Sequence, residues 1–218
     1  MTQKRIPIDL LIFDLDGTLT DSIPPAVEAI QTMIAELGLP YKTKEQISRH
    51  VGYGEAPLVS GAIDSKDPAL LKKAMSVYFS HYAQDKIHTV QLYPHVREAL
   101  EFFKNKTRII VSNKKYEFIR IILDHHHLTG YFAEILGGDT SSCAKPDPCE
   151  IKKLLKKYHT PPRRALLIGD MTVDVETGKN AGIMTCAVTY GFDDRSKLQK
   201  AAPDFMIADL LELKDLIE

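Results

Sequence analysis

The chain lacks an excess of charge of either sign. Its 218 residues carry 28 lysines and arginines against 29 aspartates and glutamates. A protein that holds nucleic acid or an acidic membrane through its overall field is strongly basic, so this balance argues against both. No apolar run approaches the ~18 residues needed to cross a bilayer. The basic start, Met1 to Arg5, leads into an apolar stretch broken by Pro7, Asp9 and Asp14, which is not the pattern of a secretory signal. Cysteine is scarce. Cys143, Cys149 and Cys186 are odd in number and show no C-x-x-C spacing. Neither a disulfide framework nor a cysteine zinc site is expected, and a reducing cytoplasm is the expected compartment. Repeats and low-complexity segments are also absent.

What is present is ordinary for a soluble globular enzyme: 44% hydrophobic and 26% charged residues, in a length that suits one domain or one domain with a substantial insert. Ile8 to Phe13 is a compact apolar run and reads as a strand buried on both faces. Similar runs recur at Arg108–Val111 and Ala165–Ile168, with weaker ones at Ile135–Leu136, Met184–Val188 and Phe205–Ile207. Between them lie helical patterns at Pro94–Lys104, Tyr116–Leu123 and Pro148–Tyr158, and a last one from about Leu210 to Ile217. This alternation predicts an α/β fold, a Rossmann-like parallel sheet with helices on both faces.

The stretch from about Ser22 to Val90 departs from the alternation and is helical in pattern throughout. Ser22 precedes a helix with Pro24 and Pro25 in its first turn, the stripe Val27, Ile30, Ile34 and Leu37, and Gly38 at its end. Thr43 with Gln46 forms a capping-box signature. A third helix is expected after Gly54, and Asp67-Pro68 opens a fourth running to about His88. The expected organisation is a core of residues 1–20 and 91–218 with an inserted α-helical cap at 21–90.

Four polar signatures each sit just past an apolar run. They are Asp14-Leu15-Asp16-Gly17-Thr18, Ser112-Asn113-Lys114, Lys145-Pro146-Asp147-Pro148, and Gly169-Asp170 continuing to Asp174. Open parallel sheets bind ligands at the carboxyl ends of their strands. Two pairs of aspartates, a hydroxyl and a lysine are therefore expected in one crevice, a set suited to phosphoryl transfer. Mg²⁺ prefers hard oxygen ligands, which Asp14, Asp170 and the Asp16 main-chain carbonyl would supply. Lys145 would add positive charge where negative charge accumulates, and the Ser112 hydroxyl would bond phosphoryl oxygens. Asp14 is placed to attack phosphorus, and Asp16 to protonate the leaving oxygen and then activate water. Singly, each signature has a plainer reading: an acidic turn, a Ser-Asn turn, a helix capped by Asp147, or a helix start that favours acids.

Together, and in this order, the four segments resemble the four motifs of the haloacid dehalogenase-like (HAD) phosphohydrolases over nearly the whole chain. The helical insert resembles the C1-type cap of the phosphoglycolate phosphatase-like branch. The resemblance implies Asp14 as nucleophile, Asp16 as acid/base, and Asp170 as a metal ligand with Asp174 as a further acidic group at the metal. It implies Ser112, Asn113 and Lys145 as phosphate-binding positions. The implied function is Mg²⁺-dependent hydrolysis of a small soluble phosphate monoester, phosphoglycolate-like, by a monomer or homodimer. In such relatives a cap loop near Arg49-His50-Val51-Gly52-Tyr53-Gly54 faces the crevice, which makes Arg49 and Tyr53 candidate substrate contacts; the plain alternative is a helix–helix turn.

Other functions on the same fold remain as alternatives. A phosphosugar mutase of the β-phosphoglucomutase type carries a cap histidine shortly after the first motif, whereas Ile23 to Ile30 contains none. A haloacid dehalogenase has no second aspartate corresponding to Asp16. A pyrophosphatase or nucleotidase on the same fold is a further alternative, since the motifs leave pyrophosphate, nucleoside monophosphates and sugar phosphates open as substrates. A silent regulatory scaffold would not need Asp14, Asp16, Lys145 and Asp170 together. Asp124-His125-His126-His127 reads as a solvated helix end and not as a metal site. Lys152, Lys153, Lys156 and Lys157 read as the wet face of a helix, and Tyr78, Phe79 and Tyr82 as core of the helical insert.

Overall fold

A computed structural model describes residues 5–141 and 143–218. Strand β1, Leu10–Phe13, is buried at every position because it lies in the middle of a sheet covered on both faces. Leu11 and Phe13 pack on one face with Ile110, Leu166 and Ile168, while Leu10 and Ile12 pack on the other with Ile109, Val111 and Leu167. This two-residue alternation is the strand period. It explains why the segment is apolar without interruption.

The remaining strands of the main sheet are β4 (Thr107–Val111), β5 (Glu134–Leu136), β6 (Ala165–Gly169), β7 (Met184–Val188) and β8 (Phe205–Ile207). They lie in the order β5-β4-β1-β6-β7-β8, all parallel. Helices α5 (Val96–Phe102) and α6 (Tyr116–His125) pack on the face of Leu11 and Phe13, and α7 (Cys149–Lys157) packs on the other. Helix α8, Thr172–Ala181, follows β6.

The register decides what reaches the site. Phe13 pairs with Ile110 of β4 on one side and Ile168 of β6 on the other. The residues just beyond these pairs therefore emerge together at one edge of the sheet, Asp14 in the middle with Ser112 and Asp170 beside it. β1 is where the chain order reverses across the sheet, the position at which open sheets form a crevice.

Two short strands, β2 (Thr20–Asp21) and β3 (Gln91–Leu92), form an antiparallel ribbon. Between them run α1 (Ile23–Glu36), α2 (Lys44–Ser48), α3 (Glu55–Ile63) and α4 (Pro68–His81). The Thr43–Gln46 capping box forms in both directions, at 3.3 and 2.8 Å. Ser22 stands at the start of α1 without a side-chain cap bond. The apolar side of these helices is continuous with the sheet's core: Ile30, Met33, Tyr78 and Tyr82 belong to the same cluster as Phe118 of α6. Burying each such side chain contributes about 1.5–3 kcal/mol.

Several elements differ from expectation. The fourth helix is not regular to His88: it passes into a π-helical turn at Tyr82–Lys86 and a 3₁₀ turn at Ile87–Thr89. Tyr82 opens that turn, fully buried, with its ring stacked on Tyr78 at 5.4 Å. At the end of the chain, a 3₁₀ turn and the short helix Leu213–Leu216 replace a single helix. The expectation of no disulfide is corrected as well. The loop between β5 and α7 folds back until Cys143 and Cys149, with Cα atoms 6.4 Å apart, form a disulfide. Residues six apart are brought together here by loop shape, which leaves no periodic trace in the sequence. Cys186 is a buried free thiol. Among the described residues no helix is long and apolar enough to cross a membrane.

Candidate active site

Asp14 continues the ladder of β1, its N–H donating to the Ile168 carbonyl at 2.9 Å, and its Oδ1 accepts the Leu15 N–H at 2.7 Å. The chain then turns sharply. Leu19 and Thr20 both donate backbone N–H groups to the Leu15 carbonyl, and Gly17 N–H donates to the Thr20 carbonyl. Gly17 has φ +79°, and a Cβ there would lie 2.1 Å from Asp170 Oδ2. The glycine of the first signature is thus required both by the turn and by the carboxylate packed against it.

Lys145 joins the first and fourth signatures. Its ammonium lies 2.8 Å from Asp14 Oδ2 and 2.6 Å from Asp174 Oδ1, with all three side chains buried. Asp174 Oδ2 also accepts the Met171 N–H at 3.1 Å, which fixes it in the first turn of α8. Asp170 is wholly buried. It accepts the Thr18 hydroxyl at 2.9 Å through one oxygen and the Phe192 N–H at 2.8 Å through the other.

Asp14, Asp170 and Asp174 bring carboxylate oxygens within 4.8 Å of one another. Of these three buried carboxylates, two pair with the Lys145 ammonium and Asp170 has no cation partner among the described residues, and unbalanced buried charge is costly. Burial, against the opposing pull of Lys145, raises the Asp14 carboxyl to about 6, and the neighbouring Asp174 and Asp16 add to the rise. Burial raises Asp170 well above the usual carboxylate range, reinforced by Asp174 and Asp14. Burial alone would lower Lys145, but Asp14 and Asp174 outweigh it and hold its ammonium above the ordinary value. The cluster can hold a metal ion: it is a set of hard oxygen donors with surplus negative charge, which suits a divalent cation.

Asp16 does not join that cluster. Its Oδ2 accepts from the Lys114 ammonium at 3.0 Å, and its Oδ1 is buried with no hydrogen-bond partner among the described residues. Asp14, Asp16, Ser112 and Lys114 border a cavity of about 20 Å³, lined from the helical side by Val51, Gly52, Gly54, Glu55, Leu58 and Tyr78 among others. That volume holds about one water.

Three of the expected site residues, Asn113, Arg49 and Tyr53, do not line this cavity. Asn113 does not point into this cavity. Its Oδ1 accepts the Lys145 N–H at 3.0 Å, and its Nδ2 donates to the Lys145 and Gly52 carbonyls at 3.4 and 3.3 Å. It holds the lysine loop in place. Arg49 and the 47%-exposed Tyr53 line a separate outer groove with Phe192, Asp193 and Lys197. From their segment, Val51, Gly52 and Gly54 are the residues that face the cavity. Lys114 and Glu55 were missed as site residues. Lys114 carried a signal, since it directly follows Ser112-Asn113, but a lysine beside a turn reads as solvated. Glu55 gave none.

The sheet order, the strand-end aspartates and the buried lysine between them define a hydrolase of the haloacid dehalogenase-like class. The sequence profile described as "Haloacid dehalogenase-like hydrolase" matches residues 11–188, and the chain belongs to that family. It is 34% identical over 226 residues to a phosphoglycolate phosphatase of Vibrio parahaemolyticus, covering all of this chain and 98% of the relative. It is 35% identical over 212 residues to a phosphoglycolate phosphatase of Pseudomonas syringae pv. syringae, covering 94% and 78%. Among solved structures it resembles a predicted phosphoglycolate phosphatase from Haemophilus somnus, with TM-score 0.90, 26% identity, and 95% and 96% of the two chains covered. A haloacid dehalogenase-like family protein from Streptococcus pneumoniae gives TM-score 0.84 at 27% identity, covering 95% and 97%.

Proposed function

We propose that the chain is a Mg²⁺-dependent phosphatase acting on a small phosphate monoester of the phosphoglycolate type, through an aspartyl-phosphate on Asp14. The observation that carries this reading is the Lys145 ammonium held between Asp14 and Asp174 at 2.8 and 2.6 Å, beside a second aspartate, Asp16, with one oxygen uncommitted. A mere cation site has no use for the lysine or for Asp16. The full-length similarity to phosphoglycolate phosphatases supports the substrate class.

On this reading Asp14 uses a carboxylate oxygen to attack phosphorus, forming the P–O bond as the ester oxygen leaves. Lys145 and the Ser112 hydroxyl hold the phosphoryl oxygens. Asp16 gives its proton to the leaving oxygen, then takes one from the water that attacks the intermediate. Mg²⁺, held by Asp14, Asp170, Asp174 and the Asp16 carbonyl, would offset the repulsion between carboxylate and phosphate. Residues 21–90 act as a cap over the core formed by 1–20 and 91–218. The cavity of about 20 Å³ supports a cap whose helices open for ester entry and close for the reaction.

The test is a panel of phosphate esters assayed with Mg²⁺ and with chelator, ranked by kcat/KM. Small acid-bearing esters are expected at the top and chelator to abolish turnover. Nucleotides or sugar phosphates at the top would overturn the substrate class, and no turnover on any ester would overturn the phosphatase reading itself.

A further inference from the structure

Lys114 is the second buried lysine of the site, and the mechanism above gives it no task. The two lysines differ in their partners. Lys145 is committed to Asp14 and Asp174, whereas the Lys114 ammonium pairs with a single carboxylate among the described residues, Asp16 at 3.0 Å, and lies 5.1 Å from the centre of the Tyr82 ring. Glu55 stands close by, its carboxylate receiving the Lys115 N–H at 3.1 and 3.2 Å. Tyr82 and Glu55 come from the helical segment, and Asp16 and Lys114 from the sheet's edge. The surroundings of Lys114 are therefore built jointly by the helical segment and the sheet's edge.

The bond to Lys114 has a geometric consequence. An aspartate held by one oxygen loses freedom about its last torsion and presents the other oxygen in a fixed direction. Here the fixed oxygen is Oδ2 and the presented one is Oδ1, buried beside the cavity with no hydrogen-bond partner among the described residues. A buried polar atom without a partner calls for an explanation. A general acid needs just this: an oxygen aimed at the reacting group and held by a neighbour that does not itself react.

We propose that Lys114 is a positioning residue for the Asp16 acid/base, aligning its Oδ1 on the leaving oxygen once Tyr82 and Glu55 close over the site. This rests on the phosphatase reading. In the first step the proton passes from Asp16 to the ester oxygen as its bond to phosphorus breaks. In the second, the carboxylate takes a proton from water as that water attacks the Asp14 phosphoester. Lys114 keeps its own proton throughout. Cap closure and acid alignment then become one event, which spares the site from protonating an ester that is only half enclosed.

Lys114→Met is the variant to measure, using kcat/KM, which reports the first chemical step, on three esters. Ethyl phosphate and phosphoglycolate have poor leaving groups that need the proton; p-nitrophenyl phosphate does not. General acids contribute about 10²–10⁴-fold, so the two alkyl esters are expected to fall together by about 10²-fold while p-nitrophenyl phosphate stays within about 3-fold. Lys114→Arg, which keeps a cation, recovers part of the alkyl activity. Tyr82→Leu gives a weaker version of the same selectivity and serves if the methionine variant does not fold. Equal losses on all three esters would mean a structural role and overturn the proposal. So would a loss confined to KM for phosphoglycolate, which would make Lys114 a contact for the substrate's own carboxylate. A wild-type chain inactive on every ester would remove the phosphatase reading and this one with it.

Discussion

Asn113 brackets the peptide of Lys145, taking its N–H on Oδ1 at 3.0 Å and donating from Nδ2 to its carbonyl at 3.4 Å. The side chain is bonded through both ends, so it sets where the lysine loop sits against β4. Asn113→Ala is expected to lower kcat by about 10-fold or more with little change in KM, because it releases the Lys145 backbone that Asn113 holds. Losing a buried hydrogen-bond pair is expected to cost about 1–3 kcal/mol of stability. A rise in KM alone would instead make Asn113 a phosphate contact.

Metal binding and pH are coupled through the buried carboxylates. Burial raises Asp14 to about 6 and Asp170 well above the usual range in the metal-free chain. A carboxyl that holds its proton more tightly when folded stabilises the fold at low pH. That contribution is fully present below about 4, the unfolded value, and is lost as pH rises through the folded one. Without metal, stability should therefore fall from about pH 4 to pH 6 and beyond. Mg²⁺ must displace those protons, so its thermal stabilisation should be larger at about pH 8 than at about pH 5. Equal stabilisation at both pH values would contradict the assignment of these carboxylates as ligands.

Gly17 offers a test of the turn that carries the first signature. A methyl group there would stand 2.1 Å from Asp170 Oδ2, on a backbone with φ +79°. Gly17→Ala is expected to cost more than about 1 kcal/mol and to weaken Mg²⁺ binding by displacing Asp170. Calorimetry and a Mg²⁺ titration read the two effects. Unchanged metal affinity would mean that Asp170 tolerates the shift.

The Cys143–Cys149 bridge closes the loop that holds Lys145. A ring this small is expected to contribute about 2 kcal/mol, so reduction should lower Tm by a few degrees. The folded oxidised protein should show no reactive thiol, because Cys186 is buried in β7, and two should appear on reduction. Two reactive thiols before reduction would refute the bridge.

Much of this was legible in the sequence for identifiable physical reasons. A strand buried on both faces must be apolar throughout, so the runs Ile8–Phe13 and Ala165–Ile168 mark the strands Leu10–Phe13 and Ala165–Gly169. Residues just past such strands share one sheet edge, and that brought Asp14, Ser112 and Asp170 together on paper. The two-residue strands β2 and β3 are too short to carry a period. The π turn at Tyr82 depends on stacking against Tyr78 and on Phe118 of α6, contacts set by tertiary packing. Lys114 was hidden for a similar reason. Its charge is tolerated in the interior because Asp16, 98 residues away, and the Tyr82 ring surround it. Arg49 and Tyr53 stand in the segment expected to face the site, but the backbone at Gly52 and Gly54 turns toward the cavity and leaves those two side chains in the outer groove.

The central claim is that Asp14 attacks phosphorus. The most direct measurement is phosphate release from p-nitrophenyl phosphate with Mg²⁺ by wild type and by Asp14→Asn, the latter confirmed as folded by its thermal transition. The account predicts steady turnover by the wild type and a loss of at least about 10³-fold in the variant, because an amide oxygen cannot form the phosphoester. An Asp14→Asn protein that turns over at the wild-type rate would contradict it.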